Sequence, residues 1–161
     1  MPRAPATLRR PRFVDVEIRV APFEGLTAVD VYDVARLRQD VFVVEQACPY
    51  ADLDGRDPEP GTGHVLMREG DALLGYLRVL DDATTWRIGR VVLAPEARGR
   101  GLADGLVEAA LAHCAAVGPD RDVVLDAQTP LAGWYAGFGF AADGAEFLED
   151  GIPHTPMRLS R

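Results

Sequence analysis

Ile88-Gly-Arg-Val-Val-Leu-Ala-Pro-Glu-Ala-Arg-Gly-Arg-Gly-Leu-Ala-Asp-Gly-Leu106 is the stretch on which the reading of the fold turns. Ile88 to Leu93 is β-branched and apolar, as a strand buried on both faces would be, and Pro95 ends it. Arg98-Gly99-Arg100-Gly101 follows, and from Leu102 apolar residues recur at helical spacing through Leu106, Val107, Ala110 and Leu111. A strand that runs through a glycine turn into a helix aims several free backbone N–H groups at one point. The positive end of the helix dipole adds to them, so the turn is expected to hold a phosphate or pyrophosphate. Glycine suits such a turn because it permits positive φ and lets a ligand approach the backbone.

Composition removes several competing readings. The chain has 161 residues, 48% hydrophobic and 26% charged, as expected of one soluble globular domain. It contains no Lys, so a Walker loop is excluded, and a dinucleotide fingerprint would need a glycine where Asp104 stands. A net charge of −8 without a basic run argues against nucleic acid and suits a cationic small molecule. The one serine, Ser160, is next to the C-terminus, which leaves Ser-His-Asp hydrolysis without a nucleophile. Two cysteines, Cys48 and Cys114, make no disulfide framework and fit a reducing cytoplasm. Met1–Arg12 has four arginines and no apolar run; it reads as a flexible tail rather than a signal peptide, and no stretch is long enough to span a membrane.

Outward from the central stretch, Phe13 to Val20 alternates as a first strand with Val14, Val16, Ile18 and Val20 on one face. Thr27 and Asp30 mark a helix start, and Val31, Val34, Leu37, Val41 and Val44 form an apolar stripe. Arg38, Phe42 and Glu45 make a neighbouring stripe, in which Arg38 reads as half of a structural ion pair and Glu45 as a candidate for a pocket. Gln46 to Gly61 is rich in turn formers and long enough to be functional. Its Asp52, Asp54 and Asp57 lack the spacing and closing Glu of a calcium loop, and Cys48, His64 and His154 lack metal-ligand spacing, so no metal is expected. Strands are expected at His64–Arg68 and Ala72–Leu80, joined as a hairpin, and at Val123–Ala127. A helix is expected from Gly101 to about Val117, with Cys114 in the core, and a short one from Leu131 to Phe138. Phe140–Phe147 and Pro153–Leu159 close the chain as two strands.

Arg98-x-x-Gly101-x-Ala103, preceded by Val91-Val92-Leu93 and Pro95-Glu96, resembles the acetyl-CoA signature of the GNAT superfamily of N-acetyltransferases. Tyr135-Ala-Gly-Phe-Gly-Phe140 is similar to that family's Y-x-x-x-G-F element. Three blocks resemble the ElaA-like branch: Val41-Phe-Val-Val-Glu-Gln-Ala-Cys-Pro-Tyr50, Ile88-Gly-Arg-Val-Val92 and Glu149-Asp-Gly-Ile-Pro-His154. The resemblance implies an α/β (α+β) fold over a single domain at 13–161. It implies a twisted mixed sheet of about six or seven strands, with about three or four flanking helices, whose fourth and fifth strands splay apart around a thioester.

The resemblance also implies acetyl-CoA as co-substrate. Backbone groups of Val91 and Leu93, with Val92 between them, would hold the pantetheine arm and the thioester carbonyl. Arg98, Gly99, Arg100, Gly101, Leu102, Ala103 and Asp104 would hold the pyrophosphate. Tyr135 matches the usual general acid. The glutamate base of one branch aligns with Arg87 here and does not transfer. Glu45, Asp54, His64, Asp126 and His154 remain, Glu45 and His154 preferred, with a water chain as another route. Gln46, Tyr50, Asp54, His64, Gln128 and Asp150 are the candidate acceptor contacts. If the first helix, the following loop and the last hairpin meet, their mouth is expected to have a surplus of carboxylates and to favour a primary amine; otherwise these acids pair with Arg38 and Arg78. The expected reaction is direct acetyl transfer to a small-molecule or peptide amine, by a monomer or homodimer. The competing readings are an acyl-CoA-binding or regulatory module without transferase activity, and a protein or peptide N-acetyltransferase, which would need an open groove between the 46–60 loop and the last hairpin.

Overall fold

Alternating and continuous apolar runs give a sheet-dominated chain. The computed structural model describes residues 15–161, so the expected tail at 1–12 and the start of the first predicted strand lie outside it. In order come β1 (Val16–Pro22), α1 (Ala28–Arg38), a π-helical segment (Gln39–Glu45), β2 (Gly63–Glu69), β3 (Ala72–Asp81) and β4 (Thr85–Leu93). They are followed by α2 (Ala103–Val117), β5 (Asp122–Gln128), α3 (Ala132–Ala136), β6 (Ala141–Ala142), β7 (Phe147–Glu149) and β8 (Ile152–Leu159). The sheet runs β1-β2-β3-β4-β5-β8-β6, with β7 also on β8. Every neighbouring pair is antiparallel except β4 and β5. The mixed α/β sheet is the one expected, except that the penultimate strand is broken into β6 and β7 and so raises the strand count to eight.

The middle of the sheet is covered on both faces. Met67 of β2 lies under α2, close to Gly105, while Tyr76 of β3 lies under the Arg38 guanidinium at the end of α1. Leu106, Val107, Ala110 and Cys114 are the buried side of α2, so Cys114 is a core thiol as expected. Gly105 allows the helix to approach β1, because a Cβ there would stand 2.9 Å from Ile18 Cδ1.

Helix α1 begins in a reciprocal cap: the Thr27 hydroxyl accepts from the Asp30 N–H, and the Asp30 carboxylate accepts from the Thr27 N–H, each at 3.0 Å. Its buried positions are Asp30, Val34, Leu37 and Arg38, so Val31 falls beside that face rather than on it. Val44, expected in the apolar stripe, is 66% exposed. The π-helical turn that follows α1 is wider than an α turn, and it rotates Val44 outward while Val41 stays buried. Among the described residues no helix is long and apolar enough to cross a membrane.

Candidate active site

β4 and β5 pair over only three positions, Thr85↔Asp122, Trp86↔Val123 and Arg87↔Val124. Beyond Arg87 the strands part, although β4 continues to Leu93 and β5 to Gln128. A cavity of about 490 Å³ opens there. β4 is also bulged: Tyr76↔Val92 and Arg78↔Gly89 bracket one more residue on β4 than on β3. Arg90, at φ 55°, takes up the excess in a conformation unusual for a non-glycine residue.

The splay brings most of the expected site together. Val91, Val92 and Leu93 line the cavity from β4, and Gln128 lines it from β5. Glu45 and Gln46 enter from the π-helical segment, Tyr50 from the loop, and Tyr135 from α3. Asp150 and His154 come from the last hairpin, and Arg98 stands at the rim.

Tyr135 is 5% exposed. Burial pushes its hydroxyl up to about 12, so it carries its proton throughout the neutral range. His154 Nδ1 lies 2.8 Å from the Ile152 carbonyl. A carbonyl only accepts, so Nδ1 carries the hydrogen and Nε2 of the neutral ring has the lone pair. The ring stacks on Phe147, and Nε2 is 3.9 Å from the Glu149 carboxylate. Glu45 is engaged instead: both its oxygens accept from Arg98, at 2.7 and 3.0 Å, and that contact lowers its pKa.

The glycine turn lies beyond the end of β4. Gly99 and Gly101 have φ of 74° and 73°, and a Cβ on either would meet no protein atom within 4 Å. The N-terminus of α2 has no side-chain cap, so its first N–H groups are open to a ligand. Around it, Arg100 donates to Glu69 at 2.8 Å and Asp104 accepts from the Trp134 indole at 2.8 Å. Leu102 and Ala103 make the last step into the helix.

The sequence profile of the acetyltransferase (GNAT) domain family matches residues 28–161. The chain belongs to the GNAT acetyltransferase family. Protein ElaA of Escherichia coli is 39% identical over 135 residues, covering 82% of this chain and 88% of that one. A UPF0039 protein of Mycobacterium tuberculosis is 44% identical over 139 residues, covering 83% and 86%. The crystal structure of an acyl-CoA N-acyltransferase from Pseudomonas aeruginosa superposes with a TM-score of 0.87 at 39% identity, over 91% of this chain and all of the other. That of E. coli ElaA superposes at 0.85 with 36% identity, over 88% and 98%. This is an ElaA-like GNAT acyltransferase.

Two expected acceptor contacts of this GNAT protein lie elsewhere. His64 is 1% exposed, with Nδ1 2.7 Å from the Tyr76 hydroxyl and Nε2 3.0 Å from the Asp57 carbonyl. Burial pushes its pKa down, so it is a neutral core histidine. Asp54 accepts from both terminal nitrogens of Arg78, at 2.8 and 2.6 Å, and from Arg90. Arg78 beside it holds its carboxyl well below the usual range. Asp52 and Asp57 likewise face Arg38 rather than a metal. Among the described residues no group of three His, Cys, Asp or Glu side chains could hold a metal ion.

The expected surplus of carboxylates at the mouth is not what this GNAT cavity presents. Four carboxylates line it, Glu45, Asp126, Glu149 and Asp150, against five arginines. Arg56, Arg78, Arg87 and Arg90 line the cavity and were not among the expected site residues. Their positions depend on the long loop folding back over β3 and β4 and on the bulge, and neither leaves a spacing signal in the sequence.

Proposed function

We propose that this GNAT acyltransferase moves an acetyl group from acetyl-CoA to a primary amine by direct attack in a ternary complex. The observation that carries this reading is the convergence, on one cavity between splayed strands, of a protonated Tyr135 and of His154, whose Nδ1 is engaged by the Ile152 carbonyl. Acetyl-CoA suits the two openings. The glycine turn and the uncapped start of α2 would receive the pyrophosphate, and the space along Val91–Leu93 would receive the thioester arm.

His154 Nε2 takes a proton from the ammonium, and the freed nitrogen lone pair forms a bond to the thioester carbonyl carbon. As the tetrahedral intermediate collapses the C–S bond breaks and the departing thiolate takes the Tyr135 hydroxyl proton, while the second nitrogen proton, lost as the amide forms, passes through solvent to restore the Tyr135 hydroxyl. Backbone donors at the β4 bulge stabilise the oxyanion; a donor of this kind contributes about 3 kcal/mol to acyl transfer. Glu45, tied to Arg98, shapes the rim rather than serving as base.

A small-molecule acceptor is favoured over a protein substrate. The gap that a peptide groove would need is bridged: Cys48 Sγ lies 3.8 Å from the Asp150 carbonyl, and Gln128 reaches Gln46 at 3.5 Å. The test is to incubate the protein with acetyl-CoA and a panel of amines, hydroxyl compounds and thiols while following free CoA thiol. Release with amines alone is expected. CoA binding without release from any acceptor would leave a binding module and overturn the reading.

A further inference from the structure

The floor of the cavity poses a question that the transfer chemistry does not answer. Gly89 on β4 lies opposite Arg78 on β3, and a Cβ at Gly89 would meet nothing within 4 Å. This leaves a well above the strand. Arg87 stands two residues before Gly89 on the same face. Arg90 would point to the opposite face of a regular strand, but the bulge turns it to the Arg78 side, where both arginines bind Asp54. Arg56 reaches the same wall from the loop.

The carboxylates that orient these arginines stand behind them. Asp52, Asp54, Asp57 and Asp82 hold the guanidiniums yet do not line the cavity; Asp126 does, with one oxygen taken by Arg87. Three of the guanidiniums each keep a terminal nitrogen unbonded to the described protein. Arg56 donates through Nε and Nη2, leaving Nη1. Arg87 donates through Nε and Nη1, leaving Nη2. Arg90 contacts Asp52 and Asp54 through Nε and Nη2, leaving Nη1. None of these three nitrogens is sealed from solvent. Three spare donors around a hollow over bare backbone match a compact oxyanion, and arginine is the side chain best shaped to hold a carboxylate.

Resting on the amine-transfer reading, we infer that the acceptor is an amino carboxylate, whose carboxylate sits in the well over Gly89 while its amine faces His154. Strand order sets the separation. Gly89 is on β4 and His154 on β8, with β5 between them and each neighbouring pair of strands at least about 4.8 Å apart, so the nitrogen and the carboxylate belong at opposite ends of a chain rather than on one carbon. An ω-amino acid or the side-chain amine of a free basic amino acid has this form.

The test compares ε-aminocaproate with hexylamine, which has the same reach and no carboxylate, and with β-alanine, which is too short. The expected kcat/KM for ε-aminocaproate exceeds that of either by about tenfold or more, the worth of a charge-assisted contact. Arg56→Gln and Arg87→Gln, at half-exposed positions, are expected to bring the ratio to hexylamine close to one. Arg78 is left intact, because its loss would strand Asp54 and Asp57. Calorimetric titration of caproate into the CoA-bound protein reads the well without turnover, and binding that weakens in Arg87→Gln is the expected result. Equal kcat/KM for ε-aminocaproate and hexylamine overturns the inference and leaves amine transfer standing. If no amine releases thiol, the transfer reading fails, and the caproate titration alone decides whether the well binds a carboxylate.

Discussion

In the proposed reaction Tyr135 and His154 have opposite tasks, and the surroundings of each suit the task. Tyr135 packs against Trp134 and Phe140, with ring centroids 4.7 and 6.1 Å away, and that burial keeps its proton on. Tyr135→Phe preserves this packing and removes only the hydroxyl. It is expected to lower kcat by roughly a hundredfold with little change in KM for acetyl-CoA. The loss should shrink with an acyl donor whose thiol leaves more easily; near-normal turnover would reduce Tyr135 to a packing residue. The Ile152 carbonyl engages Nδ1 of His154, so in the neutral ring the hydrogen is there and Nε2 is the acceptor. His154→Ala is therefore expected to cost about a hundredfold in kcat/KM for the amine, whereas Glu45→Gln costs less than about tenfold, since Glu45 already spends its charge on Arg98. Kinetics at saturating acetyl-CoA checks the order, and a larger loss in the Glu45 variant would reverse the assignment. At this scale the sequence singles out Tyr135 through its motif. It could not rank the histidines, because whether a His meets a core hydroxyl, as His64 does, or a cavity, as His154 does, depends on strands far apart in the chain.

The glycine turn was legible because its requirement falls on residue type. Gly99 and Gly101 both adopt positive φ, which other residues rarely do. The β4 bulge places the same kind of conformation on Arg90, so nothing in its residue type marks it, and the Arg90 contacts to Asp52 and Asp54 hold it there. The π-helical segment was hidden for a related reason: Gln39–Glu45 has ordinary helical composition, and only the widened turn shows why Val44 faces outward. The turn also makes a clean test. A Cβ at Gly101 would touch no protein atom, so Gly101→Val costs the fold only the strain of its φ of 73°, about 1–2 kcal/mol. The space it fills is the space proposed for the pyrophosphate. CoA affinity is expected to fall by about tenfold or more, with the native circular dichroism spectrum kept. Unchanged affinity in a calorimetric titration would move the phosphate site elsewhere.

Across the whole molecule, the order of elements along the chain and the splay followed from the sequence pattern and its resemblance, while the attachment of the long loop did not. Residues between the π-helical segment and β2 form no regular element, yet they close one side of the cavity. Their anchor is a chain of alternating charges. Arg38, 1% exposed, contacts Asp52 at 2.8 Å and Asp57 at 2.7 Å; Arg78 contacts Asp57 and Asp54; Arg90 contacts Asp54 and Asp52. Three cations and three anions thus share one half-buried cluster, and the short distances matter because each charge has lost much of its water. Arg38→Met would leave Asp52 and Asp57 without that partner, an expected loss of about 3 kcal/mol, a large share of a typical domain's stability. The pH dependence gives the test its sign. For Asp57 burial pushes the carboxyl up, but Arg38 and Arg78 outweigh it and hold the pKa below the ordinary value. A depressed folded pKa contributes stability that is present above about pH 4 and is lost as pH falls toward the folded pKa. Without Arg38 much of that depression disappears. The stability gap between wild type and variant in urea should therefore be widest at neutral pH and narrow as pH falls below about 4, where the stranded carboxylate takes up a proton. A gap of constant size across that range would mean that Arg38 holds the loop by packing on Tyr76 alone, and the charge cluster would lose its role as the anchor of the cavity wall.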